Sequence, residues 1–348
     1  MTMTTTILEV RDVTMRFGGL VANERVSMSV HGGEIFAVIG PNGAGKTTLF
    51  NAITGIYEAT EGQILFDGKE IRREWSRRTS FRAIGIGLAT AVIAVLAYNA
   101  TDLWQGAIVK KYVYAQPFPW GEAMATLVTT MRAASFWSTW GIAVLAFILA
   151  RLGYGAIWHS QRRTPDLVSR AGIARTFQNI RLFAEMNLVE NVLVGMDQHC
   201  TCGYWACLLR TPRFWREQAA MRIRAFEFLK FVELADAAGS LANSLPYGHQ
   251  RRLEIARALA TEPKLILLDE PAAGMNPAES ADLMRLIRRI RDRGVTVVLI
   301  EHDMKVVMGI SDRIVVLQHG KKIAEGTPEE IRTNPVCIAA YLGTEVVH

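Results

Sequence analysis

Apolar and polar residues alternate over residues 7–17 and again over 26–30, and this period of two predicts two strands. After the polar turn His31-Gly32-Gly33-Glu34 comes an unbroken apolar run, Ile35-Phe36-Ala37-Val38-Ile39, which predicts a strand buried on both faces. Leu49, Phe50, Ala52 and Ile53 then recur at helical spacing, and residues 62–66 read as a short strand closed by Asp67-Gly68. Further on, strands are predicted over 172–177, 264–268 and 295–300. Helical patterns run over 185–241 with a break near Thr211-Pro212, over 247–260, and from Pro277 to residue 291. A hairpin about Gly320 joins 314–317 to 321–325, and a helical tail covers 328–342. Strands alternating with helices predict an α/β fold, here a parallel core with an antiparallel sheet beside it.

One stretch breaks this pattern. Arg72, Arg73, Arg77, Arg78 and Arg82 cluster around a single acid, Glu74, and nineteen uncharged residues follow over 83–101. A mixed stretch over 102–132 leads to eighteen more uncharged residues over 133–150, and apolar character resumes after Arg151 as far as Trp158. At ~1.5 Å per residue, nineteen residues span roughly 28 Å, close to the ~30 Å hydrocarbon core of a bilayer. Residues 79–165 therefore read as an inserted transmembrane helical hairpin, with spans at about 83–101 and 134–158. Basic flanks at 72–82 and at Arg162-Arg163 put both ends on the cytoplasmic face. Trp75 and Trp158 fall at the inner interface, and Tyr98, Trp104, Trp137 and Trp140 at the outer one. Sliding the second span toward 134–150 lets Arg151 snorkel.

In a chain of 348 residues, this leaves residues 1–78 and 166–348 as one discontinuous domain. The net charge of +6 fits an acidic partner such as a membrane surface. Four cysteines make no disulfide framework at this length and suit a reducing compartment. Cys200 and Cys202 beside His199 match no standard zinc spacing. Residues 1–6 carry neither a basic nor an apolar segment of the kind a signal peptide needs.

The candidate chemistry lies at strand ends. Gly40-Pro41-Asn42-Gly43-Ala44-Gly45-Lys46-Thr47-Thr48 fits the phosphate-binding loop G-x-x-x-x-G-K-[ST], in the strand–loop–helix context that motif needs. Its glycines let backbone N–H groups turn toward phosphate oxygens, Lys46 reaches the β- and γ-phosphates, and Thr47 offers a hydroxyl to Mg²⁺. The strand over 264–268 delivers Asp269 for the Mg²⁺ shell and Glu270 to polarise a water. His302 ends another buried strand, and Gln178, also at a strand end, can offer its carbonyl oxygen to metal and water. Phe17 is placed either to stack on an adenine or to fill the core.

With these residues the chain resembles the ATP-binding subunits of ABC transporters over 7–78 and 169–345. Gln178 matches the Q-loop, Asp269-Glu270 the Walker B pair, Gly274-Met275-Asn276-Pro277 the D-loop and His302 the switch histidine. Within that superfamily it is most similar to the ATPases of branched-chain amino-acid importers. The residues that carry this are Ala174-Arg175-Thr176-Phe177-Gln178, the run from Tyr247 to Arg257, Glu301-His302-Asp303-Met304, and the tail from Gly326 to Gly343.

The resemblance implies a P-loop NTPase of ABC type, with a RecA-like core, an antiparallel β subdomain and a helical subdomain over about 179–245. It implies ATP and Mg²⁺ as ligands, Phe17 as the adenine platform, Glu270 as general base, and Lys46, Gln178 and His302 around the γ-phosphate. It also implies a second ATP-binding subunit, identical or different, two permease subunits gripped by residues 179–191, a periplasmic binding protein reached through them, and no nucleic acid. The superfamily signature Leu-Ser-Gly-Gly-Gln reads Leu245-Pro246-Tyr247-Gly248-His249 here, and Pro246 has neither hydroxyl nor N–H to offer, leaving Gly248 and the helix start to face an anion. A membrane-anchored ATPase of another system, such as lipid or lipopolysaccharide export, is the competing reading. A non-transport ATPase fits less well, because there is one P-loop and no sustained heptad run.

Overall fold

The computed structural model of the chain describes residues 5–342 apart from 74, 113–116, 134–135 and 161. Glu74 of the basic cluster, and the side chains of Arg132 and Trp137, fall outside what is described. In chain order, β1 (Thr6–Phe17), β2 (Leu20–His31) and β3 (Ile35–Ile39) lead into α1 (Lys46–Ile53), then β4 (Glu61–Phe66) and β5 (Lys69–Glu70). Four helices follow: α2 (Arg77–Tyr98), α3 (Ala100–Ala107), α4 (Trp120–Ala133) and α5 (Phe136–Ser160). Next come α6 (Pro165–Ala171), β6 (Ile173–Arg175), α7 (Leu188–Gly195), α8 (Tyr204–Leu208), α9 (Pro212–Phe231) and α10 (Tyr247–Leu259). The chain ends with β7 (Leu265–Asp269), α11 (Pro277–Asp292), β8 (Thr296–Ile300), α12 (Met304–Ile310), β9 (Arg313–Gln318), β10 (Lys321–Gly326), α13 (Pro328–Thr333) and α14 (Pro335–Leu342). These elements form two compact units, Arg73–Arg162 and the rest of the chain.

The larger unit holds two sheets. One is antiparallel in the order β2-β1-β4-β5, and the other runs β10-β9-β3-β8-β7-β6. The second is parallel from β9 to β6, with β10 turned back along its edge. Its central strands are buried on both faces, which is why they read as unbroken apolar runs. Ile35, Ala37 and Ile39 join one core with α7, α9, α10 and α11, while Phe36 and Val38 join a second core with α1 and the antiparallel sheet. Local chemistry sets the helix starts: Asn187 with Glu190, Asn276 with Glu279 and Thr327 with Glu330 form capping boxes on α7, α11 and α13. The expected strands are present; α12 was not expected, because seven residues hold too little pattern to reveal a helix.

In the smaller unit, α2 and α5 pack together so closely that a Cβ on Gly87 would lie 2.7 Å from the Phe147 ring. The first apolar helix ends at Tyr98, short of the expected 101, where the Asn99 side chain donates to Val95 O at 2.8 Å. The mixed stretch between the two long helices is not an open loop: α3 and α4 pack on each other within it. α5 continues through Arg151 to Ser160. One basic flank is also corrected. Arg163 is buried in the larger unit, where its Nη2 donates to Ile53 O at 3.0 Å at the end of α1, so it is not a free surface charge. Burial pushes its pKa down to about 10.

Candidate active site

The parallel strands β3, β6, β7 and β8 end at the same edge of the sheet, and each hands the chain to a polar residue of the expected set. β3 delivers the loop Gly40–Gly45. Gly40 is required because a Cβ there would fall 2.1 Å from Leu317 O, and Gly45, at φ +91°, because one would strike the Asn23 amide at 2.4 Å and Ala22 O at 2.5 Å. The loop is thus pressed against its neighbours while its other face stays open. Gly43 meets nothing, and Asn42 and Thr47 are exposed. Pro41 and Ala44 close the turn through the bond from Ala44 N to Pro41 O, 3.2 Å. Thr48 lies beside Thr47 in the first turn of α1, whose N-terminal N–H groups carry no acidic side chain. Lys46 is buried and its Nζ donates to Gly40 O at 2.7 Å and Pro41 O at 3.0 Å. Burial lowers its pKa, while Glu270 and Asp269 pull the other way.

Asp269 ends β7 almost fully buried. Its Oδ2 accepts from Arg175 Nη2 at 2.8 Å, and Arg175 also donates to Asn51 Oδ1 at 2.6 Å on α1. Its Oδ1 is buried and finds no hydrogen-bond partner among the described residues. An anionic oxygen left unpaired in this way fits a hard cation, with the Thr47 hydroxyl and Gln178 as the other side-chain donors of the expected set.

Glu270 follows with φ +46°, a left-handed conformation rare for a glutamate, while its N–H donates to Ile300 O at 2.9 Å. That twist aims its carboxylate at the neighbouring strand ends. Gln178 Nε2 donates to Glu270 Oε2 at 3.0 Å, and His302 Nδ1 lies 3.8 Å from the same oxygen. The Gln178 amide nitrogen thus faces the carboxylate. Buried Glu301 sets the His302 loop: Oε1 accepts from Ala272 N at 2.8 Å and Oε2 from His302 N at 3.2 Å. Burial raises the Glu301 pKa.

Phe17, at the end of β1, is part-exposed, and its ring meets Tyr57 edge-on at 5.1 Å. Gly248 is placed elsewhere, on the first turn of α10, where a Cβ would come within 3.1 Å of Glu279 Oε1. Arg175, Arg251 and Glu254 lie in the runs that carry the resemblance, but pattern reading gave them no role in the site. Arg251 and Glu254 sit three apart on α10 and both are buried, with Arg251 Nη1 donating to Glu254 Oε2 at 2.7 Å.

The sequence matches the ABC transporter family model over residues 23–93 and 149–273. A second model, the branched-chain amino acid ATP-binding cassette transporter, matches residues 321–347. The chain is 38% identical to the high-affinity branched-chain amino acid transport ATP-binding protein BraF of Pseudomonas aeruginosa, covering 98% of this chain and 99% of that protein. It is 36% identical to LivG of Escherichia coli, which carries the same description, over the same shares. Among solved structures it is similar to an ABC transporter's ATP-binding cassette in its ADP conformation, with TM-score 0.64, 25% identity, and coverage of 98% of this chain and 100% of that one. A nucleotide-free cassette gives TM-score 0.62 at 26% identity, covering 97% and 99%.

Proposed function

Because the chain belongs to the ABC transporter family and is the ATP-hydrolysing subunit of an importer, we propose that it drives uptake of branched-chain or related amino acids. The relatives' descriptions and the match over 321–347 support that substrate class. The observation that carries the chemical reading is the meeting of Gln178 and His302 on one oxygen of Glu270.

In this reading the loop from Gly40 to Thr48 cradles the ATP phosphates and Phe17 stacks on the adenine. Glu270 takes a proton from water as its oxygen attacks the γ-phosphorus; the bond to the β-phosphate oxygen breaks and ADP leaves. Lys46 and His302 hold the charge that builds on the transferring group, and Gln178 orients the water. Thr47, Asp269 and Gln178 would hold Mg²⁺, and the bound ion would neutralise phosphate charge.

Gly248, on the first turn of α10, would close the site of a second ATP-binding subunit. A permease helix would dock in the cavity of about 390 Å³ lined by Phe177, Phe183, Val194 and Arg257. The unit Arg73–Arg162 would anchor the subunit from the cytoplasmic face. α2 and α5 are long and apolar enough to cross a bilayer, and Leu88, Val92, Ile93, Leu145, Leu149 and Leu152 stay exposed on them.

The test is ATP-driven uptake of labelled leucine, isoleucine or valine into proteoliposomes that contain the full transporter and its binding protein. Uptake that needs ATP supports the substrate class; intact ATP turnover without uptake of any of the three overturns it.

A further inference from the structure

Arg251 has no exposed surface. A buried guanidinium is costly unless its donors are met, and here Nη1 and Nη2 are met while Nε finds no partner among the described residues. Its Nη1 donates to Phe177 O and to Glu254 Oε2, both at 2.7 Å, and its Nη2 to Gln178 O at 2.9 Å and the Tyr247 hydroxyl at 3.3 Å. Glu254 completes the grip, since its Oε1 accepts the N–H of Phe177 at 3.2 Å. The ion pair therefore holds the backbone from the N–H of Phe177 to the carbonyl of Gln178. Its other end rests on Tyr247, the first residue of α10 and the neighbour of Gly248.

We propose that Arg251 and Glu254 are positioning residues for hydrolysis, coupling the Tyr247-Gly248 turn to Gln178. The inference rests on the ATPase reading above. Gln178 reaches Glu270 from a segment whose carbonyls are pinned to α10, whereas Glu270 itself is fixed to β7 and β8. A nucleotide closing on the Gly248 turn then shifts Gln178 relative to Glu270, and occupancy at one face of the subunit tunes water activation at the other. The rigid fork of an arginine suits this, because it binds two carbonyls and a carboxylate at once. Among the described residues neither one hydrogen-bonds to the phosphate loop, so the expected effect falls on turnover rather than on ATP affinity.

The experiment uses the complete transporter. Arg251→Lys keeps the charge but cannot span these acceptors, and it should lower kcat about tenfold while KM for ATP stays within about twofold. In a Gln178→Ala background the same substitution should change kcat by less than about twofold, because its route is already gone. Should Arg251→Lys fold poorly, the paired change Arg251→Met with Glu254→Leu removes both charges together, leaves neither unpaired, and should give the same kcat loss. Wild-type turnover in the same preparation keeps failure of this inference distinct from failure of the ATPase reading. Unchanged kcat in the folded variants, or an undiminished loss in the Gln178→Ala background, overturns it.

Discussion

Arg175 Nη2 lies 2.8 Å from Asp269 Oδ2, and both side chains are almost wholly buried. The guanidinium joins the end of β6 to the end of β7 and, through Asn51, to α1. It occupies one carboxylate oxygen and leaves the other unpaired. Breaking a buried pair by removing one partner costs about 3–5 kcal/mol, because the remaining charge is uncompensated. Arg175→Met should therefore lower the unfolding free energy by about that amount, with part of the loss regained in Mg²⁺-ATP. Denaturant unfolding of the full chain in detergent, with and without nucleotide, checks this. A loss below about 1 kcal/mol would mean that Asp269 does not depend on Arg175.

Lys46 supplies a pH dependence whose sign is fixed. Burial lowers its pKa from 10.5, so in the free protein the ammonium loses its proton earlier than an exposed lysine does. Phosphate favours the charged form, so binding above that depressed pKa must take up a proton, and ATP affinity should fall as pH rises through it. For stability the same shift is a penalty, present below the folded pKa and relieved as pH climbs toward 10.5. Nucleotide titrations as pH rises toward 10.5 should give steadily weaker binding in the wild type and a flatter profile in Lys46→Arg.

Phe17 leaves part of its ring exposed beside Tyr57. If it stacks on the base, Phe17→Ala should weaken ATP binding by about 1–3 kcal/mol and leave kcat at saturation unchanged. Equal affinities for ATP and for a triphosphate without a base, in both proteins, would remove it from the site.

The unit Arg73–Arg162 makes a physical prediction of its own. The full chain, expressed without permeases, should stay with membranes after high-salt and alkaline washes, and deleting residues 80–164 should release the ATPase into the soluble fraction. Arg77, Arg78 and Arg82 are exposed on the first turns of α2 or beside them. At about 1 kcal/mol per basic residue, they should strengthen attachment to anionic lipid. A full-length chain that is soluble without detergent contradicts the anchor.

The parallel core was legible because buried central strands are apolar on both faces, so β3, β7 and β8 stand out as runs and point to the polar residues at their ends. The phosphate loop was legible because its glycines answer to local backbone geometry. What stayed hidden depends on tertiary contact. Arg251 and Glu254 look like any surface pair on a helix until the Phe177-Gln178 backbone closes over them. Arg163 looks like a membrane flank until its guanidinium caps α1. The left-handed turn at Glu270 is invisible in a sequence, since no residue type announces it. The helices α3 and α4 are short and of mixed composition, so they read as a loop.

The most direct measurement is phosphate release by the assembled transporter carrying Glu270→Gln, alongside ATP binding to the same preparation. The amide keeps the shape of the carboxylate but cannot accept the proton of water. Turnover should fall by about 10²-fold or more while ATP remains bound. Turnover equal to the wild type would contradict Glu270 as the base, and with it the reading of this strand edge as the catalytic centre.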